Sequence, residues 1–330
     1  MPHPKLNSLI LPWPVDWAEL FGEERPLLVE IGFGNGDYTI ALAQTNPTCN
    51  VIAFEVSSQS LYKAEKKIAS RKLQNVRAIY SRGETALHHL FAPNSIREIH
   101  VNYPDPWFKS RHAGRRIMQR ETLDAIVNRL QPGGFFFLAT DILEYAEMSH
   151  ELLAETPGLD NLLGAPWVND FPERLLTTKY EEKGLREGRP GHYFKYQRNE
   201  IPVPDVPIQE ELPVPHMIIK TPMSPQAIAE SVEKAAFHAK GDIHIALLNG
   251  YWNPKYQTVL FDVMIEEPTI EQHIALALVT REIAGEYTLK YATFGMPRPT
   301  QGMHHATNFI AEWIVSLHDD AEIVSRRVKV

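Results

Sequence analysis

The chain has 330 residues, with 33 Lys+Arg against 41 Asp+Glu for a net charge of −8; such acidity excludes a surface that binds nucleic acid everywhere, yet leaves room for a local basic strip. At roughly 150 residues per domain, and with 44% hydrophobic residues, the length predicts two domains with buried cores rather than disorder. The single Cys49 excludes an intramolecular disulfide framework and a multi-cysteine zinc site, no apolar run nears the roughly 18 residues of a membrane span, and Pro12 and Pro14 break the apolar stretch near the start, so the expectation is a soluble cytoplasmic protein without membrane or metal.

Residues 1–26 carry Pro2, Pro4, Pro12, Pro14 and Pro26 among Trp13, Trp17 and Phe21, a spacing that prevents a long helix and reads as an arm packed on the first domain. From 27 to 200 the apolar runs LLVEI, VIAFE, VRAIY, IREIHVN and GFFFLAT read as strands, and 57–71, 83–91 and 116–130 as helices between them. Their alternation predicts an α/β domain, doubly wound on a mostly parallel sheet. In 116–130 Ile117, Leu123, Ile126, Val127 and Leu130 share a face, and Pro132-Gly133-Gly134 is expected to end the helix. A proline-rich stretch, 201–216, reads as a semi-rigid linker. Beyond it, 217–330 reads as a smaller α+β domain of unknown role. Ser224-Pro225 would start a helix running through Ile228, Val232 and Ala236 to near Gly241. DIHIALL, QTVLFDVMIE, QHIALALVT and EYTLKYA follow as strands, 302–317 as a helix and the tail EIVSRRVKV as an edge strand.

The first strand runs into Glu30-Ile31-Gly32-Phe33-Gly34-Asn35-Gly36-Asp37. Glycines there let the backbone turn sharply and let a ligand approach it. The spacing G-x-G-x-G differs from the G-x-G-x-x-G that faces a pyrophosphate. With an acid just before it, it suits a ligand bearing an ammonium and no phosphate, such as the methionine part of S-adenosyl-L-methionine. Glu55 ends the second strand, where an acid can accept both ribose hydroxyls of a nucleoside; that geometry also serves NAD, so Glu55 alone does not choose. A purely structural turn is the bland alternative.

The fourth strand ends in His100-Val101-Asn102-Tyr103-Pro104-Asp105-Pro106-Trp107-Phe108. Two prolines hold Asp105, whose carboxylate can accept from guanine N1–H and the 2-amino group while a neighbouring ring stacks on the base. Residues 107–120 then bring five Lys/Arg (Lys109, Arg111, Arg115, Arg116, Arg120) and no acid. A charge run is usually a solvated face. Opening a helix with cations opposes the dipole, however, which favours phosphate contact here.

YPDPWFKSRHAGRRI closely resembles the signature of the bacterial tRNA (guanine-N7-)-methyltransferase family, which forms 7-methylguanosine in the tRNA variable loop. Ala139-Thr140-Asp141 with Glu144-Tyr145-Ala146, and Thr178-Lys179-Tyr180-Glu181 with Gly184, resemble later motifs; the resemblance spans about 27–198. It implies a Rossmann-like class I methyltransferase fold. Glu30, Gly32, Gly34, Gly36 and Glu55 would contact the cofactor and Asp105 would be the active-site acid. Lys109, Arg111, His112, Arg115, Arg116, Asp141, Thr178, Lys179, Tyr180 and Glu181 would contact substrate tRNA. One position departs. Ser81-Arg82-Gly83-Glu84 stands where many members have an acid beside the adenine, so Glu84 substitutes after a local shift or backbone groups hold the base.

Guanine N7 has an in-plane lone pair and no proton to remove, so alignment matters more than a strong base. Competing readings are an amino-methyltransferase, whose fourth-strand motif keeps its prolines adjacent, an NAD-dependent oxidoreductase, and a non-catalytic tRNA-binding protein. The pairs His88-His89 and His304-His305 read as structural. Trp252 and Tyr256 flank a hairpin turn or could stack on a base. Net charge is −6 over 201–330 and −2 over 1–200, so the second domain is no electrostatic platform for RNA. The sequence leaves monomer and homodimer open.

Overall fold

The computed structural model describes residues 6–109, 114–292 and 295–330, and the chain divides into two units, Met1–Gln209 and Glu210–Val330. In the first unit β1 (Leu27–Ile31), β2 (Asn50–Glu55), β3 (Val76–Tyr80), β4 (Ile96–Asn102), β5 (Leu130–Thr140), β6 (Leu159–Asn161) and β7 (His192–Arg198) form one sheet in the order β3-β2-β1-β4-β5-β7-β6. The first five pair parallel, and β7 runs antiparallel to both β5 and β6. This is the doubly wound, mostly parallel sheet expected. β1 is buried along its whole length because helices cover both faces, and its side chains alternate between two cores. Val29 and Ile31 join Leu87, Ile126 and Tyr145, whereas Leu28 joins Leu42 and Val51.

Six of the helices lie between these strands or before them: α1 (Trp17–Phe21), α2 (Asp37–Thr45), α3 (Ser58–Ser70), α4 (Gly83–His89), α5 (Arg120–Arg129) and α6 (Leu143–Ala154). The arm lies against this unit. At the β3 edge Ser8 N–H donates to the Tyr80 carbonyl at 3.1 Å and Tyr80 N–H to the Leu6 carbonyl at 2.9 Å, Trp13 stacks on His89 at 4.2 Å, and Trp17 on Phe91 at 5.0 Å.

The helix predicted over 116–130 starts later, at Arg120. Met118 N–H donates sideways to the Tyr145 hydroxyl at 3.3 Å, and Ile117 reaches the α4 start, where Gly83 has no room for a Cβ. Glu121 occupies the first turn of α5, so the basic run does not open a helix and the dipole argument for it falls away. The helix also ends at Arg129, and Pro132-Gly133-Gly134 lies within β5 at a register shift.

The proline-rich stretch is not a free spacer. Fully buried Arg129 donates to the Val206 carbonyl at 2.8 Å and Asn128 to the Pro204 carbonyl at 2.9 Å, which docks the first part onto the first unit. In the second unit, Leu212 N–H donates to the Pro299 carbonyl and His304 Nε2 contacts the Pro213 carbonyl at 2.9 Å.

That second unit has an all-antiparallel sheet of β8 (His216–Lys220), β9 (Ala236–Lys240), β10 (Ile243–Asn253), β11 (Thr258–Glu267), β12 (Ile270–Thr280), β13 (Glu286–Tyr291) and β14 (Glu322–Arg327), in the order β14-β8-β13-β12-β11-β10-β9. β14 is an edge strand, as the tail pattern implied. Between α7 (Lys179–Arg186) of the first unit and α9 (Gln301–Val315), α8 (Pro225–Glu230) starts on the Ser224 cap. It stops at Glu230 instead of reaching Gly241, because Ala236–Lys240 pairs with β10. Strand hydrogen bonding overrides a local helical spacing.

Candidate active site

β1 sits between β2 and β4, so the chain reverses its winding there and a crevice opens beyond the strand ends. The glycine turn leaves β1 at this point. Gly32, Gly34 and Gly36 have φ of +74°, +55° and +79°, a region that costs other residues about 1–2 kcal/mol. The three differ in what surrounds them. A Cβ on Gly36 would lie 2.7 Å from that of Ala64, so this glycine serves the packing of α2 on α3. A Cβ on Gly32 would meet nothing within 4 Å. The turn is therefore open above Gly32, where a ligand could approach the main chain.

Glu55 holds the turn from β2. Its Oε2 accepts from Gly34 N–H at 2.9 Å, and its Oε1 from Val56 and Ser57 N–H at 2.9 and 3.0 Å. A carboxylate has about four acceptor positions, so one remains on Oε2. Glu30 lies behind the turn. Buried to 1% exposure, it accepts from Thr39 Oγ1 and, at 3.3 Å, from Asn102 Nδ2. Burial pushes its pKa up to about 7 despite these bonds. Glu84 stands in the first turn of α4, 3.6 Å from Arg82.

Asp105 is exposed on the loop after β4. That loop is strained at both ends, with φ of +52° at Tyr103 and +42° at Trp107. Arg116 braces it: Nε donates to the Pro106 carbonyl at 3.0 Å and Nη2 to that of Trp107 at 3.2 Å. Arg120 donates to the Leu152 carbonyl and to Thr156 Oγ1, closing the end of α6. Both side chains, expected in a phosphate-facing strip, are thus turned to the protein's own acceptors. Lys109 and Arg115 are exposed, the latter over the Trp107 ring at 5.3 Å, while Phe108 is 70% exposed. Arg111 and His112 lie outside the described residues.

The later motif residues collect on the other side. Thr178 caps α7 in a reciprocal box with Glu181, and Lys179 and Tyr180 are partly to fully open. Tyr180 lies over the glycine turn, its Cε2 3.6 Å from where a Gly34 Cβ would be. Glu181, expected at the substrate, is buried: Oε1 accepts from Tyr193 OH at 2.7 Å, and Oε2 from Arg174 at 3.1 and 3.2 Å and from Thr178 N–H at 3.2 Å. Its carboxylate has become an internal anchor. Asp141 accepts from Arg189 at 2.8 Å, with Gly184 pressed against it. Among the described residues no three His, Cys, Asp or Glu side chains gather as a metal-holding group, and no helix is long and apolar enough to cross a membrane.

The methyltransferase family model Methyltransf_4 matches residues 24–193. The tRNA (guanine-N(7)-)-methyltransferase of Cupriavidus pinatubonensis is 35% identical over 56% of this chain and 73% of that protein. That of Thermus thermophilus is 31% identical over 91% of this chain and 92% of that one. The chain belongs to the tRNA (guanine-N7-)-methyltransferase family. The Thermus alignment spans 301 residues, more than the first unit holds, so that tRNA (guanine-N7-)-methyltransferase shares sequence with the second unit too. Among solved structures, the 16S rRNA methyltransferase KamB superposes with a TM-score of 0.43 at 17% identity, covering 59% of this chain and 99% of that one.

Three residues that tie the site together are given no role by the sequence pattern used above: Asn102, Arg174 and Tyr193. Asn102 stands inside the quoted fourth-strand motif and its place at the strand end was a usable signal. Arg174 lies in an aperiodic stretch and Tyr193 in a late strand, so neither is marked by pattern; only their bonds to Glu181 reveal them.

Proposed function

We propose that the chain transfers the methyl group of S-adenosyl-L-methionine to N7 of a guanosine in the variable loop of tRNA. One observation carries this reading: Asn102 at the end of β4 donates to Glu30 at the end of β1, at 3.3 Å. The bond ties the open glycine turn and the Asp105 loop together at the C-terminal ends of two adjacent central strands, so a nucleoside cofactor and a purine would meet there.

The residues present suit that cofactor. Gly32 leaves its backbone open, Glu55 keeps an acceptor for the ribose, and Glu84 lies in the first turn of α4, after the third strand, where the adenine would rest. When bound, the cofactor supplies an electrophilic methyl on a positively charged sulfur. The N7 lone pair of guanine would accept that methyl with no proton to remove, so the chain's own residues need only align the base. Asp105 orients guanine through N1–H and the 2-amino group and faces the charge that develops on the ring. The loop bracing from Arg116 keeps that carboxylate fixed, since holding the partners near attack distance supplies roughly 7–11 kcal/mol. Phe108 offers a face for stacking and Lys109 and Arg115 meet phosphate; Arg111 and His112, outside the described residues, are assigned to tRNA contact by the family resemblance alone. Asp141 sits beside α7 and, with Thr178, Lys179 and Tyr180, borders the substrate side. We place the activity in the cytoplasm, where its tRNA substrate is.

The test is a labelled-methyl transfer assay on unmodified tRNA, with mass mapping of the product nucleoside. The expected product is 7-methylguanosine at one variable-loop position; a methylated exocyclic amine, or no transfer, would overturn the reading.

A further inference from the structure

Arg174 lies in the stretch between β6 and α7 that has no regular structure. Its side chain is 13% exposed, so it is not offered to a substrate. The guanidinium is spent on two acceptors: Nη1 donates to Asn102 Oδ1 at 2.7 Å, and Nε and Nη2 to Glu181 Oε2 at 3.2 and 3.1 Å. The rings of Tyr38, Tyr193 and Tyr103 surround it at 5.0, 5.5 and 5.8 Å. Tyr38 is fixed in turn by His100, which stacks on Phe137 and bonds Glu98.

These bonds form a continuous line. Glu30 behind the glycine turn accepts from Asn102, Asn102 accepts from Arg174, Arg174 donates to Glu181, and Glu181 accepts from Thr178 at the start of α7. The far end of the line carries Tyr180 over Gly34. We infer that Arg174 is a positioning residue for methyl transfer, locking the Thr178–Glu181 segment against the cofactor turn so that both sides of the crevice keep one spacing. It acts through Glu181 and Asn102 and touches neither substrate nor cofactor. A forked, planar donor is needed to reach both acceptors at once; the single ammonium of lysine cannot do so.

The inference rests on the methyltransferase reading above, and the wild-type chain tests that reading first: if it forms no 7-methylguanosine, the function fails independently of Arg174. With an active wild type, Arg174→Ala is expected to lower the single-turnover rate at saturating tRNA and cofactor by about 100-fold, while its Kd for tRNA stays within about threefold. Arg174→Lys is expected to remain at least about tenfold slow. Because the two residues act as a unit, the Arg174→Ala/Glu181→Ala double variant is expected to be no slower than the slower single one. Where Arg174→Ala does not fold, Arg174→Lys decides: a slow rate at an unchanged melting temperature supports the inference. A rate within about threefold of wild type, multiplying effects in the double variant, or a rate loss that only follows loss of folded protein would each overturn it.

Discussion

Arg116 donates through Nε to the carbonyl of Pro106 at 3.0 Å, so a cation in the basic run serves as the brace of the loop that carries Asp105. Its neighbour Arg115 is exposed, and the two are expected to respond differently to removal. Arg115→Ala should weaken tRNA binding and lower the salt slope of log K by about 1. Arg116→Ala should leave that slope unchanged and instead slow methyl transfer, with a stability loss of about 1.5–3 kcal/mol from its lost charged hydrogen bonds. Filter-binding titrations across salt concentrations and a denaturant melt check both.

Asp105 is exposed and takes no part in the hydrogen bonds of Glu30 and Glu55 around the glycine turn. Asp105→Ala is expected to abolish 7-methylguanosine formation while S-adenosylhomocysteine binds within about threefold of wild type by calorimetry, since removing a group used only near the transition state lowers rate rather than affinity. Loss of cofactor binding would contradict this assignment.

The glycine turn separates fold from binding. Gly36→Ala places a Cβ 2.7 Å from Ala64, and overpacking plus a left-handed backbone should cost about 2–5 kcal/mol of stability. Gly32→Ala projects into open space; it should cost only the backbone penalty of about 1–2 kcal/mol, yet block the ligand's approach and weaken cofactor binding at least about tenfold. Melting and calorimetry on the two variants should rank them in opposite order.

Glu30 is raised by burial from 4.5 to about 7. The folded state therefore holds this proton more tightly than the unfolded chain. The stability this contributes is full below about pH 4.5 and is lost as pH rises through about 7, on the order of 3 kcal/mol in all. Glu30→Gln, which keeps an uncharged side chain of the same shape, should flatten that part of the pH profile, so the variant gains stability relative to wild type at pH 8 more than at pH 5. Chemical denaturation at the two pH values measures it.

Arg129 is fully buried and bonds the Val206 carbonyl. A chain ending at residue 200 leaves that bond unmade and uncovers the core beneath Val203 and Val206, at about 2–4 kcal/mol. It should melt roughly 4–16 °C below a chain ending at residue 209. Equal melting temperatures would mean that the proline-rich stretch contributes nothing to the first unit.

Much of this was legible in the sequence. The five apolar runs of the first domain became β1 to β5 because parallel strands buried on both faces must be continuously apolar. The Ser224 cap and the helix expected over 302–317, observed at Gln301–Val315, were equally plain. The site's chemistry was legible where it depends on residues close in the chain: three glycines in one turn, an acid locked between two prolines, an acid at a strand end.

What the sequence could not contain was which partner each polar group would find. Arg116 and Arg120 looked like phosphate contacts until their guanidinium groups met backbone carbonyls 10 and 32 residues away in sequence. Glu181 looked like a substrate contact until Arg174 and Tyr193 occupied it. The stretch 236–240 had helical spacing until β10 offered it a ladder of hydrogen bonds. The sequence by itself determined the family, the sheet and the chemical inventory of the crevice, because these follow from local pattern and residue type. Tertiary structure alone decided which charges stay open for ligands and which are spent inside, because a buried charge or hydrogen-bonding group must be satisfied by whatever the fold brings within reach.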